Sequence, residues 1–140
     1  MAGVPWRGDG QVSGEVRDGA RRAGLAAAAV GVVAAGLVVT RAGSGPFVGA
    51  VGDALYAVLS YLLVGLALPR ARAWVVAGVA LGACTLIELL QLTGLPAAMV
   101  DLWGPARYLL GTTFQAVDLA AYAIGVTAAA AGDRAARKIG

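Results

Sequence analysis

The sequence contains no histidine and only one cysteine, Cys84, among its 140 residues. The lack of histidine excludes His-based catalytic triads, histidine metal sites and histidine pH switches. A single cysteine excludes an internal disulfide and any zinc site built from several cysteines. Charged residues are scarce as well, at 14% of the chain, whereas a soluble domain carries about a quarter. These absences exclude sites that depend on histidine or on several cysteines.

Hydrophobic residues make up 59% of the chain, and the mean hydropathy is +0.78. This composition excludes a soluble enzyme, a disordered tail and a nucleic-acid-binding module, despite a net charge of +3 and a pI near 9.5. A membrane-spanning helix needs about 20 mostly apolar residues, because the bilayer core cannot satisfy exposed backbone groups. Four blocks meet this requirement: Gly24–Thr40, Phe47–Leu68, Ala73–Leu95 and Gly111–Ala131. The predicted fold is an all-α membrane protein, a four-helix transmembrane bundle.

The positive charges predict the orientation of this bundle. Four spans place both termini on one side, and a cytoplasmic location for both leaves only Arg41 and Arg107 of the 11 basic residues outside. This split follows the positive-inside rule. We therefore expect a flexible cytoplasmic N-terminus (1–22), a single four-span domain (23–132) and a short basic cytoplasmic tail (133–140).

The first span has an alternative interpretation as a cleaved signal peptide. Arg21 and Arg22 form a twin-arginine cue, Leu25–Val39 is a suitable apolar core, and small residues at 42–44 would suit cleavage. Three further spans follow, and the count of positive charges favours a retained first segment.

The connection Pro96–Leu110 is the longest one outside the predicted spans. Pro96 and the Gly104-Pro105 pair prevent one continuous helix. Its apolar and aromatic residues, Trp103 among them, predict a short segment at the outer membrane interface between the third and fourth helices.

Three carboxylates interrupt the apolar spans: Asp53, Glu88 and Asp118. An ionised group at a helix centre costs about 2.5–3.5 kcal/mol, and each large aliphatic residue or Phe returns about 0.3–0.6 kcal/mol. The fourth span has only five such apolar residues, so Asp118 should be protonated, paired or facing a wet cleft. In the predicted topology all three acids lie at about 9–11 Å below the outer boundary, from the rise of 1.5 Å per residue.

Helical phase predicts that these acids face one another. Gly111, Gln115, Asp118, Tyr122 and Gly125 recur at helical spacing and form one stripe. Glu88 and Gln91 share a face of the third span, and Arg107 is the nearest expected counter-charge, with Arg41 second. Polar stripes are also how membrane helices pack, but intramembrane carboxylates are costly and usually mark a functional site. The candidate ligand-binding residues are Asp53, Glu88, Gln91, Arg107, Asp118 and Tyr122.

Four segments of the last three spans have a familiar order and spacing: Gly52–Tyr56, Leu86–Leu92, Leu110–Phe114 and Asp118–Gly125. Together with Tyr61 and Arg107, they resemble a family of small bacterial membrane proteins, the domain-of-unknown-function family 2809. The resemblance covers about residues 45–127 and implies no activity, since none is assigned to that family.

A more distant resemblance is to the VanZ-like group, which is linked to teicoplanin resistance and the cell envelope. Its pattern of Glu-x-x-Gln, a following Arg and a later Asp and Gly is matched by Glu88, Gln91, Arg107, Asp118 and Gly125. Tyr122 stands where VanZ-like proteins tend to have Asn, and the gap from Arg107 to Asp118 is longer here. The resemblances imply the plasma (inner) membrane of a bacterium.

The first hypothesis is a membrane protein whose outward-facing polar cleft binds an envelope lipid headgroup or a membrane-active drug. Alternatives are a metal-dependent lipid-phosphate enzyme, a component that translocates protons or cations, and a purely structural membrane subunit. No side chain is an obvious nucleophile, which weighs against an enzyme, and no cofactor or metal is expected. The expected partners are membrane lipids, with no nucleic acid, and small-residue faces such as that of Ala27, Gly31 and Ala35 are suited to a homo- or hetero-oligomer.

Overall fold

The computed structural model describes residues 9–110 and 115–139, and every regular element in those ranges is helical. The elements in chain order are α1 (Asp9–Ala42), α2 (Pro46–Ala67), α3 (Ala73–Gln91), α4 (Leu95–Leu102), a 3₁₀ turn (Gly104–Ala106), α5 (Arg107–Leu110) and α6 (Ala116–Ile139). The prediction of an all-α fold is confirmed for this part of the chain.

Three helices contain segments that are long and apolar enough to cross a membrane: Val12–Ala42 within α1, and the whole of α2 and α3. At most 28% of the apolar window in any of them is buried inside the molecule. Most of their side chains therefore face outward, where large apolar surfaces require lipid or a partner. These helices fit a multi-pass membrane protein.

The predicted fourth span, Gly111–Ala131, corresponds in part to α6. Its residues 111–114 lie outside the described residues, and α6 is not among the three helices of sufficient apolarity. The helix also continues to Ile139, through most of the segment expected to be a short tail. The crossing of the membrane by this helix stays a prediction.

The N-terminal helix is longer than the sequence predicts. α1 begins at Asp9, so residues 9–22 are helical where we expected a segment without structure of its own. Arg21 explains part of this difference, because its side chain is tied to α6 and to the loop after α2. Farther along α1, Leu25 and Ala29 belong to the hydrophobic core.

α2 lies at the centre of the bundle and packs against α1, α3 and α6. Its contact with α6 is especially close, because a Cβ atom built on Gly125 would overlap the carbonyl oxygen of Ala54. Small residues at a helix interface permit such backbone approach in membrane proteins. The contact brings one face of α6, with the buried residues Asp118 and Tyr122, against the polar face of α2.

The segment between α3 and α6 is interrupted, as predicted. Gly94, with a φ of 73°, ends the helical path of α3. Trp103 has extended backbone between α4 and the 3₁₀ turn, and Pro105 lies in that turn. The location of this segment at a membrane interface remains a prediction.

Candidate functional site

A cavity of about 610 Å³ lies between α1, α2, α3, α6 and the segment that precedes α6. We call it the acidic cavity. Its wall includes all six residues that the sequence singled out: Asp53, Glu88, Gln91, Arg107, Asp118 and Tyr122. Arg41, the second expected counter-charge, is not on the wall, and Gly111 of the predicted stripe lies outside the described residues.

Glu88 is the most buried acid of the cavity. Its residue surface is 1% exposed, and Tyr122 Oη donates a hydrogen bond of 2.5 Å to its Oε1. The other carboxylate oxygen, Oε2, is buried and accepts no hydrogen bond from the side chains and backbone that the structure describes. One oxygen of Glu88 is therefore engaged by Tyr122, and the other is engaged by no described group.

Asp53 and Asp118 lie on the wall of the same cavity as Glu88. Asp118 is buried and Asp53 is half-buried, so three acids from three helices share one partly enclosed space.

Gln91 contributes a second buried oxygen. Its Nε2 donates a hydrogen bond of 2.6 Å to the carbonyl oxygen of Leu110, which orients the amide. Its Oε1 is buried and accepts no hydrogen bond in the described part of the chain. Arg107 lies on the same wall with an exposed side chain. The cavity thus combines buried acceptors with one cationic group.

The aromatic residues of the cavity follow from helical spacing. Tyr122 lies one turn beyond Asp118 on α6, and Tyr56 lies three residues beyond Asp53 on α2. The two rings have centroids 6.2 Å apart at 51°, within the range of tilted aromatic pairs. This contact packs α2 against α6 beside the acids.

The chemistry of the cavity favours a ligand that donates hydrogen bonds. Buried acceptors without donors cost free energy, and a ligand with N–H or O–H groups removes that cost. Among the residues the structure describes, no three Cys, Asp or Glu side chains form a group that could hold a metal ion. Cys84 is buried and donates to Ser60, whose own hydroxyl donates to the Tyr56 carbonyl, and neither side chain lies on the cavity wall.

A second polar cluster lies at the opposite end of the helices. We call it the Asp133 cluster, after the buried carboxylate at its centre. Arg21 donates to both oxygens of Asp133, at 3.3 and 3.0 Å, and Tyr61 Oη donates to Oδ2 at 2.7 Å. Arg137 donates to the same carboxylate from one turn farther along α6, at 2.9 Å for its Nη2.

The cluster also fixes the loop between α2 and α3. Arg21 donates to the carbonyl oxygen of Pro69 at 2.7 Å, and Arg137 donates to that of Ala71 at 3.1 Å. Burial alone would raise the pKa of Asp133, but hydrogen bonds from Arg137, Arg21 and Tyr61 outweigh it and hold the pKa well below its usual range. The carboxylate is therefore ionised and saturated with donors.

Sequence reasoning missed the Asp133 cluster. The sequence indicates Arg21 and Arg137 as markers of membrane orientation, with Arg21 also in a twin-arginine cue, and it assigns Asp133 to a tail. The local signal was the pair Asp133 and Arg137 at a spacing of four. The partner on α1, Arg21, is 112 residues away, and no local pattern connects it to Asp133.

Comparison with known proteins identifies the family. A family model described as "Protein of unknown function (DUF2809)" matches residues 44–126. No curated protein and no solved structure matches the chain. The match covers more than half of the sequence and includes all six predicted ligand-binding residues. The chain therefore belongs to the DUF2809 family of proteins of unknown function.

Proposed function

We propose that the acidic cavity binds the polar, hydrogen-bond-donating group of an envelope lipid or of a membrane-active drug. The protein would lie in the plasma membrane of a bacterium with four spans and both termini in the cytoplasm, so that the cavity opens toward the outer leaflet. The observation that carries this proposal is the pair of buried oxygens that receive no hydrogen bond from the described residues, Glu88 Oε2 and Gln91 Oε1.

The energetics support a ligand at these oxygens. An acceptor that is buried and unpaired costs about 1–3 kcal/mol, and more when it is charged. Folding tolerates such a cost where function depends on it, because a ligand that donates to both atoms recovers the free energy on binding. Apolar residues in place of Glu88 and Gln91 would avoid the free-energy cost of burying these oxygens.

The charges of the wall narrow the ligand further. Asp53, Asp118 and Glu88 favour a cationic donor such as an ammonium group. Arg107, on the same wall, suits a phosphate beside it. A zwitterionic headgroup with both groups, such as phosphoethanolamine, complements this arrangement, whereas a choline headgroup has no N–H to donate.

The test uses the full-length protein in nanodiscs that contain phosphatidylethanolamine and phosphatidylcholine in equal amounts. Native mass spectrometry then counts the lipids that stay bound. We expect phosphatidylethanolamine to be retained over phosphatidylcholine, and Glu88→Gln to abolish the preference. The variant keeps the acceptor for Tyr122 but places an amide N–H where Oε2 now lies, so it repels a donor without changing shape.

Asp101→Asn is the matched control. Asp101 is an exposed residue of α4, and the substitution removes one carboxylate, as Glu88→Gln does. It should retain the preference of the natural protein. Equal retention of the two lipids by the natural protein, or an equal loss in Glu88→Gln and Asp101→Asn, would contradict binding of this headgroup at the acidic cavity.

The drug arm of the proposal is tested in cells. Strains that produce equal amounts of the natural protein or of the Glu88→Ala and Asp118→Ala variants are compared for sensitivity to envelope-active drugs, teicoplanin among them because of the VanZ-like resemblance. We expect the variants to shift sensitivity. Unchanged sensitivity to every drug would contradict binding of a drug at the acidic cavity, whereas binding of a lipid is decided by the nanodisc experiment.

A further inference from the structure

A second cavity of about 970 Å³ lies at the opposite end of the helices from the acidic cavity. We call it the basic cavity. Its wall comes from the part of α1 between Val16 and Val32, the second half of α2, the loop that follows α2, and the last part of α6. Of the described residues, Val32 alone lines both cavities.

The charges on this wall are mainly positive. The net charge of the wall is +2, because four arginines and two aspartates line it. These residues are Arg17, Arg21, Arg70, Arg137, Asp18 and Asp133. Arg21 and Arg137 are committed to Asp133. Arg70 pairs with Asp18 at 3.3 Å, but its side chain is 82% exposed, and a pair so exposed contributes little to stability.

The rim of the cavity therefore holds cations that are available for an anion. Arg17 is exposed and forms no ion pair with any carboxylate of residues 10–110 and 115–139. Arg70 exchanges its exposed partner at small cost. The two arginines come from different parts of the chain, α1 and the loop after α2, and they converge on one opening.

The floor of the cavity is apolar: Leu25, Ala28, Val32, Val58 and Leu62 line it. It is open between α1 and α6 because, within the described ranges, α1 packs against α2 and not against α6. The side chain of Arg21 bridges the two helices instead. An apolar crevice beneath a basic rim matches an acyl chain beneath an anionic headgroup.

Size argues for a lipid over a small anion. Cavities that hold ligands of drug size measure roughly 300–1,000 Å³, and this one is at the upper end, far larger than a phosphate ion needs. Basic pockets between membrane helices are also where anionic headgroups bind. We propose that the basic cavity binds one anionic phospholipid, with its phosphate at Arg17 and Arg70 and an acyl chain along the apolar floor.

The experiment places the full-length protein in nanodiscs of phosphatidylglycerol and phosphatidylcholine and measures retained lipid by native mass spectrometry. Phosphatidylglycerol should be retained preferentially. The preference should fall about five-fold for each arginine removed in Arg17→Gln and Arg70→Gln. Neither residue belongs to the Asp133 cluster, so both variants should keep the melting temperature of the natural protein.

Arg134→Gln is the charge control, since Arg134 is exposed on α6 and does not line the cavity. Ala28→Phe fills the crevice without changing any charge and should also reduce retention, whereas Ala27→Phe, one residue away and off the wall, should not. Soluble glycerol phosphate should not displace the lipid at equal concentration, because it lacks the acyl chain.

Three results would overturn the proposal: equal retention of the two lipids, an equal loss in Arg134→Gln and Arg17→Gln, or efficient displacement by glycerol phosphate. The last result would identify a site for a free anion instead. These outcomes are independent of the acidic cavity, because Glu88→Gln should leave retention of phosphatidylglycerol unchanged.

Discussion

The two polar regions of this molecule are built from the same kinds of side chain but are completed to different degrees. In the Asp133 cluster one carboxylate receives donors from Arg21, Arg137 and Tyr61. In the acidic cavity, Glu88 and Gln91 each retain a buried oxygen with no donor from the described residues. The difference separates a polar network that is complete by itself from one that a ligand would complete.

The two regions also differ in their relation to the family match. All six wall residues predicted for the acidic cavity lie within residues 44–126. Of the Asp133 cluster only Tyr61 does, whereas Arg21, Asp133 and Arg137 lie outside the matched range. The cluster joins the helices on either side of the matched segment to that segment.

The largest expected effect breaks the complete network. Asp133→Ala leaves the guanidinium groups of Arg21 and Arg137 partly buried without their carboxylate, so the free energy of unfolding should fall by about 3–5 kcal/mol. Unfolding in bicelles, followed by circular dichroism, measures this loss. Asp101→Ala removes an exposed carboxylate and should cost less than about 0.5 kcal/mol. A similar small loss in both variants would show that the Asp133 cluster does not stabilise the fold.

The next largest effect is expected at the contact between α2 and α6, the helices that contribute Asp53 and Asp118 to the acidic cavity. Gly125→Ala forces a methyl group against the carbonyl oxygen of Ala54, and overpacking of this kind costs about 1–3 kcal/mol. Gly132→Ala is the matched control, because Gly132 is also a glycine of α6. A Cβ atom at this position has open space around it, so the substitution should be neutral or slightly stabilising. Equal melting temperatures for the two variants would contradict the close approach of α2 and α6.

A smaller effect concerns the bond between Tyr122 and Glu88. A double-mutant cycle with Tyr122→Phe and Glu88→Ala should give a coupling free energy of about 1 kcal/mol, since each variant removes one partner of a hydrogen bond that is buried and short. The cycle is measured by unfolding of all four proteins in the same bicelles. A coupling free energy near zero would mean that the hydroxyl and the carboxyl group act independently.

An effect of similar size is a pH dependence specific to the Asp133 cluster. The pKa of Asp133 is lowered on folding from 3.8, so its contribution to stability is full above that value and declines as the pH falls below it. The stability difference between the natural protein and Asp133→Asn should narrow by about 1 kcal/mol between pH 7 and pH 3. A difference that stays constant over this range would contradict the lowered pKa.

Much of the acidic cavity could be predicted because its residues repeat within single helices. Asp118, Tyr122 and Gly125 follow the helical period, and all three are buried on the face of α6 that meets α2. The predicted topology also places Asp53 and Glu88 at the same depth below the outer membrane boundary as Asp118. The hydrogen bonds that fill this space were not predictable, because they depend on rotations of α2, α3 and α6 about their axes.

The helix ends were predicted less well than the helix centres. α1 begins at Asp9 and α6 continues to Ile139, where sequence reasoning expected irregular segments. Hydropathy detects the part of a helix that lipid surrounds, but it is silent on polar turns that extend beyond it. Long-range bonds hold those turns: Arg21 donates to Asp133 and to the carbonyl oxygen of Pro69, and Arg137 donates to the carbonyl oxygen of Ala71.

From its sequence alone, this protein could be recognised as a helical, membrane-type chain with acids on the inner faces of its helices. Hydropathy and the period of 3.6 residues are local properties of the sequence, so they do not depend on how the helices are arranged in the tertiary structure. Only the tertiary structure decided which polar groups meet, because Arg21 and Asp133, or Tyr122 and Glu88, become neighbours through the approach and rotation of whole helices. That arrangement saturates the carboxylate of Asp133 and leaves one oxygen of Glu88 without a donor from the described residues, which creates the difference between the two ends of the bundle.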